Sequence, residues 1–116
     1  MPGYFPWGTL SDTGNSDLFI EVPRSGIIKS TITIKNNAGG SGTIIYITEY
    51  YSNLLGKWLW TSYEFTLGPY ETRTMVNSQD VRSDETLGRC GVAVQLDYKE
   101  GKYSIGRWEW KSIKVV

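Results

Sequence analysis

Three features of this 116-residue sequence predict an all-β, single-domain antiparallel β-sandwich of about seven strands. Apolar residues alternate with polar ones in several stretches, and no window repeats them at i, i+3, i+4 and i+7 as an amphipathic helix would. Thr, Ile, Val, Tyr and Trp dominate those stretches, which suits a pleated, half-buried surface. Gly, Asn and Pro breaks fall every ~8–12 residues, the spacing of short strands joined by turns. A small β-barrel is the alternative closure of the same strands. A chain of this length buries around two thirds of its unfolded surface, so one core is feasible and two domains are not.

Residues 1–17 carry Pro2, Gly3, Pro6, Gly8 and Gly14 with the polar run Ser11 to Asp17, and read as an irregular N-terminal arm or a short edge strand; residues 18–116 form the sandwich domain. Residues 18–22 are the first strand, stopped by Pro23 and Gly26. In residues 27–35 the set Ile28, Ser30, Ile32, Ile34 alternates with Lys29, Thr31, Thr33, Lys35, which puts the even set inward. The Asn36 to Gly42 loop tolerates positive φ. Residues 43–52 carry Ile and Tyr on both faces, as a central strand does.

Residues 53–57 make a hairpin turn, after which Leu59, Thr61, Tyr63, Phe65 and Leu67 alternate with Trp58, Trp60, Ser62, Glu64 and Thr66. The second set is mostly polar, so Trp58 and Trp60 are expected on the outward face. Gly68-Pro69 makes the next turn and residues 71–77 the next strand. The polar stretch 77–89 is long enough to cross from one sheet to another. Cys90, Val92, Val94, Leu96 and Tyr98 alternate cleanly with smaller or polar residues, and residues 99–102 turn into a last strand in which Trp108 and Trp110 are expected to face inward.

Composition removes several functions. Without histidine there is no imidazole base or ligand, and a single cysteine, Cys90, allows neither a Cys-rich zinc site nor an internal disulfide. Twelve basic residues balance twelve acidic ones, so no long-range positive field attracts nucleic acid or anionic lipid. The lysines are dispersed and form no basic groove for a single strand. No apolar run is long enough for a membrane span, and the start has neither the basic region nor the apolar region of a signal peptide. The expectation is a cytoplasmic protein with no cofactor, no nucleic-acid partner and no membrane partner.

Two motifs suggest chemistry and have simpler explanations. Asp12-Thr13-Gly14 matches the turn that presents a carboxylate in aspartic proteases, where two such groups share a proton, and Leu87-Gly88-Arg89 resembles the segment that closes the retroviral type of that site. A homodimer could supply the second half. No apolar strand precedes Asp12, however, Asn15 replaces the usual small residue, and a strand follows Gly88-Arg89 where that family has a helix; a polar turn accounts for the same residues. Asn77, Asp80, Asp84 and Glu85 could ligate a hard cation, yet the spacing matches no EF-hand and Arg82 and Arg89 offset the charge. No catalytic and no metal-binding residues are therefore assigned.

The aromatic residues are the better candidates: five tryptophans, eight tyrosines and three phenylalanines. Tyr51, Trp58 and Trp60 gather around one hairpin beside Asn53, Glu49 and Glu64. Flat rings take the C–H faces of a sugar while amides and carboxylates take its hydroxyls, and the same rings anchor protein interfaces. Packing within a small core is the plain alternative.

Gly3-Tyr4-Phe5-Pro6, Asn37-Ala38-Gly39, Tyr50-Tyr51-Ser52 and Thr66-Leu67-Gly68-Pro69 follow one another in an order that resembles the sensory rhodopsin transducer family of small bacterial β-sandwich proteins. The likeness covers residues 3–77; the 54–60 insertion, the absence of histidine and the C-terminal third depart from it. It implies a soluble cytoplasmic homo-oligomer that binds a partner or a small polar ligand and carries no catalytic residues. Together these readings describe a non-catalytic, homo-oligomeric binding module that takes carbohydrate or a protein partner through Trp58, Trp60, Glu64, Tyr51 and Asn53. A structural subunit of a larger assembly, pairing its terminal strand at Val115-Val116 with another chain's sheet edge, is the second reading. The aspartic protease-like homodimer built on Asp12 is the third.

Overall fold

A computed structural model describes the backbone of residues 2–5, 8–12 and 20–116 and the side chains of residues 21–102, 104–107 and 113–116. Among the described residues nine strands follow in order: β1 Pro2–Phe5, β2 Gly8–Asp12, β3 Ile20–Val22, β4 Ile27–Asn36, β5 Gly42–Ser52, β6 Lys57–Leu67, β7 Thr72–Asp80, β8 Gly88–Tyr98 and β9 Tyr103–Val115. They form a four-stranded sheet, β1-β2-β4-β7, and a five-stranded sheet, β3-β9-β8-β5-β6. The sandwich expectation holds, with two strands more than the seven expected. The extra pair lies in the arm, which is not irregular over these residues and follows the edge-strand alternative: β1 pairs with β2, and β2 with β4, so the arm extends one sheet at its edge.

The period-two patterns place the core. Ile28, Ile32 and Ile34 of β4 are buried against Tyr46 and Tyr50 of β5 and Val92, Val94 and Leu96 of β8. Strand β5 is central, paired with β6 on one side and β8 on the other, as apolar residues on both its faces require. The apolar interior divides into two clusters. Between them the Ser30 hydroxyl meets the Tyr46 hydroxyl and lies 2.7 Å from Thr48 Oγ1. Asn77 Nδ2 donates to the Tyr46 and Thr61 carbonyls at 3.3 and 2.8 Å, tying β7 to the facing sheet and to its edge strand β6. Each polar atom of this belt that was desolvated on folding thereby gains a partner.

The chain crosses between sheets from β7 to β8 through residues 81–87, inside the stretch expected to cross. Val81 N donates to Gly26 O at 2.9 Å, which closes that end of the sandwich. Two bulges on β9 offset its register with β8, between Cys90 and Val92 and between Leu96 and Asp97. Strand β3 runs parallel to β9, pairing Ile20 with Ile113 and Val22 with Val115. This corrects the expectation of a free terminal strand: β9 lies between β3 and β8, Val115 is buried, and Val116 N donates to Val22 O at 3.0 Å. In the ladder Trp108 stands opposite Val94 and Trp110 opposite Val92, but the expected inward packing of these indoles concerns side chains outside the described set. Among the described residues no helix is long and apolar enough to cross a membrane.

Candidate functional site

The outer face of the five-stranded sheet holds the aromatic cluster. Leu59, Phe65 and Leu67 of β6 stand opposite the inward residues Tyr50, Ile44 and Gly42 of β5, and Phe65 and Leu67 are buried. The intervening residues therefore point out, where Trp58 lies across from Tyr51 and Trp60 across from Glu49. Trp60 is 62% exposed and Trp58 half-buried, so neither indole is spent on the core. With Lys57, Leu59 and Gln79 the two rings line an open hollow of 420 Å³ at the β6 edge.

Trp58 is held in place from three strands. Its ring meets Tyr51 edge-on, with centroids 5.6 Å apart and planes at 80°. Its far corner reaches β8, where a Cβ on Gly91 would come within 3.3 Å of Trp58 Cη2. From β9, the Arg107 guanidinium covers the indole at 4.7 Å from the ring centroid, a cation–π arrangement. Arg107 also serves as counter-ion to Glu49, a residue of the outer face that is nevertheless only 6% exposed. Among the described residues Glu49 Oε1 meets Arg107 and no other donor. Ring, guanidinium and carboxylate thus make one rigid patch beside the exposed Trp60.

The five residues expected to form the site separate. Tyr51, Trp58 and Trp60 come together. Glu64 shares their face but lies four residues along β6 from Trp60, about 13 Å away at ordinary strand rise. There it pairs with Lys99 at 2.9 Å. Asn53 turns away from the rings and donates from Nδ2 to Arg89 O at 2.8 Å, which staples the β5–β6 turn to the start of β8. Arg107 was missed. Its signal in the sequence is only its place among alternating charges and tryptophans on β9, and reaching Glu49 depends on a strand order that no local pattern encodes.

Three of the four candidate ligands of the acidic stretch are engaged within the protein. Asn77 is committed to the belt, Asp84 is bidentate with Arg82 at 2.8 and 2.9 Å, and Glu85 is buried. Glu85 accepts hydrogen bonds from the Tyr50 hydroxyl at 3.0 Å, Leu54 N at 3.1 Å and Thr86 N at 3.0 Å. Burial alone would raise its pKa, but these bonds, with that of Ser52, outweigh burial and hold it below the ordinary glutamate value. Among the described residues no three acidic or thiol side chains gather as a metal site would require. Asp12 ends β2, while Thr13 and Gly14 lie outside the described residues.

Fold and face together define a small two-sheet β-sandwich with an aromatic outer surface. No protein-family model matches the sequence, and no curated protein matches it. In three dimensions it resembles the CARDB domain of a Pyrococcus furiosus protein, whose structure holds two metal ions: TM-score 0.57, 13% identity, covering 97% of this chain and 91% of that one. It also resembles part of a β-glucuronidase from Bacteroides uniformis, with TM-score 0.59 and 16% identity over 89% of this chain and 12% of the enzyme. A family 123 glycoside hydrolase from Clostridium perfringens matches with TM-score 0.59 and 6% identity over 85% of this chain and 23% of that one. At these identities the likeness concerns the fold, and the chain spans only a small part of either enzyme.

Proposed function

We propose that this chain is a non-catalytic binding module that takes carbohydrate on the outer face of its five-stranded sheet, with Trp60 and Trp58 as the stacking surface. The observation that carries the reading is the exposed Trp60 beside an indole locked by Tyr51, Gly91 and Arg107. A pre-positioned flat ring loses little entropy on binding, which is what a weakly interacting hydroxylated ligand needs. The Glu49–Arg107 pair neutralises its own charge, so the surface favours an uncharged polar ligand over an anion. The occurrence of the same fold as a minor part of two carbohydrate-active enzymes supports an accessory role for it. A copy of the chain or another protein is the competing occupant, since the rings would equally anchor a homo-oligomeric interface.

A glycan array followed by tryptophan-fluorescence titration tests this. Binding of a neutral glycan by the wild type, abolished in Trp60→Ala while the unfolding midpoint stays unchanged, is the expected result. Absence of any glycan signal, with a molar mass by light scattering that rises with concentration in the wild type and not in Trp60→Ala, would assign the face to a protein interface.

A further inference from the structure

Resting on that reading, we infer that the ligand is a linear neutral oligosaccharide lying along the sheet, and that Asp97 and Gln95 form a second, distal subsite. The tryptophan patch is one end of a longer polar track. Gln95 Oε1 accepts from Arg107 Nη1 at 3.4 Å, and Gln95 Nε2 donates to Asp97 Oδ1 at 2.9 Å. Glu49, Arg107, Gln95 and Asp97 therefore form a connected line of donors and acceptors that crosses β5, β9 and β8 on the outward face.

The line ends in a second open groove, of 480 Å³, to which Ile45, Gln95, Asp97, Lys102 and Ser104 contribute. The Lys99–Glu64 ion pair stands at its rim, which gives Glu64 a place away from the tryptophans. Gly91, which the far corner of the Trp58 ring reaches, and Asp97, in the groove, are six residues apart on β8, a backbone separation of about 20 Å at ordinary strand rise, and the Arg107 guanidinium and the Gln95 amide stand between the indole and the Asp97 carboxylate. A single sugar ring cannot span that distance. An extended chain can, with a ring face on tryptophan at one end and hydroxyls on the Asp97 carboxylate and Gln95 amide at the other. Two ion pairs on this face, Glu49 with Arg107 and Glu64 with Lys99, cancel internally, which argues for a neutral chain. Half-buried Gln95 and Asp97, each already fixed by the other, are pre-organised to receive hydroxyls.

The test is a titration of the full chain with cello-, xylo- and chito-oligosaccharides from disaccharide to hexasaccharide, read by tryptophan quenching. Affinity is expected to rise about tenfold between the disaccharide and the longer oligomers of the series that binds, since a second set of hydrogen bonds to a charged group is then made. Asp97→Ala should remove that gain while leaving disaccharide affinity and the unfolding midpoint unchanged, and Trp60→Ala should weaken every length. Affinity independent of length, or an Asp97→Ala loss equal for short and long oligomers, overturns the distal subsite and leaves the proposed function standing. No binding of any length overturns both.

Discussion

Arg107→Ala removes the group that compensates a buried carboxylate. Glu49 is 6% exposed, and Arg107 is its counter-ion. Breaking a buried pair from one side costs about 3–5 kcal/mol where the remaining charge stays dry. Here the Arg107 side chain forms the solvent side of the pair and is 31% exposed, so its truncation admits water and the lower part of that range applies. Loss of the guanidinium–indole contact at 4.7 Å adds about 0.5–1 kcal/mol. The expected total is about 3.5–4 kcal/mol, a large share of the 5–15 kcal/mol that holds a typical domain together. Urea unfolding followed by tryptophan fluorescence should show a lower midpoint with an unchanged slope. Glu49→Gln in the same chain should recover most of the loss, because a neutral amide needs no counter-ion. A single-variant cost below about 0.5 kcal/mol, or strict additivity of the two substitutions, would refute the account of Glu49 as a buried charge dependent on Arg107.

Three further outcomes follow from the geometry. Because the folded-state pKa of Glu85 lies below its ordinary value, its contribution to stability is present above the unfolded-state pKa and is lost as the pH falls through the folded one. Unfolding midpoints across the acid range should thus fall less steeply for Glu85→Gln, although its stability near neutrality should be lower, and parallel acid limbs would contradict this. Gly91→Ala should push the Trp58 ring by a few tenths of an ångström and cost about 1 kcal/mol, visible as a changed near-ultraviolet circular dichroism spectrum; an unchanged spectrum would mean that the indole does not rest on β8. Burial, and then the Glu85 charge, push the Cys90 thiol up to about 11, so an alkylating reagent at pH 8 should label it only after unfolding, and rapid labelling of the native chain would disprove its burial.

The alternation of side chains determined a good deal of this protein on its own. Strands β4, β5, β6 and β8 begin and end within two residues of where the pattern places them, and the even residues of β4 face inward as expected. The outward direction of Trp58 and Trp60 was equally legible, because a period of two assigns each residue to a face once its neighbours are known to be buried. What periodicity cannot carry is which strands are neighbours. The approach of Arg107 to Glu49, the contact of the far corner of Trp58 with Gly91 and the distance of Glu64 from the rings all depend on the order β9-β8-β5-β6. Glu85 shows the same limit from the other side: within a run of polar residues its carboxylate looks solvated, and only the convergence of the Tyr50 hydroxyl with two backbone N–H groups makes burial affordable. The glycines and prolines of the arm left an irregular segment and a short edge strand both open, and pairing with β4 decides for the edge strand over residues 2–5 and 8–12. Local chemistry set the strands and their faces, and long-range hydrogen bonding decided which faces and charges meet.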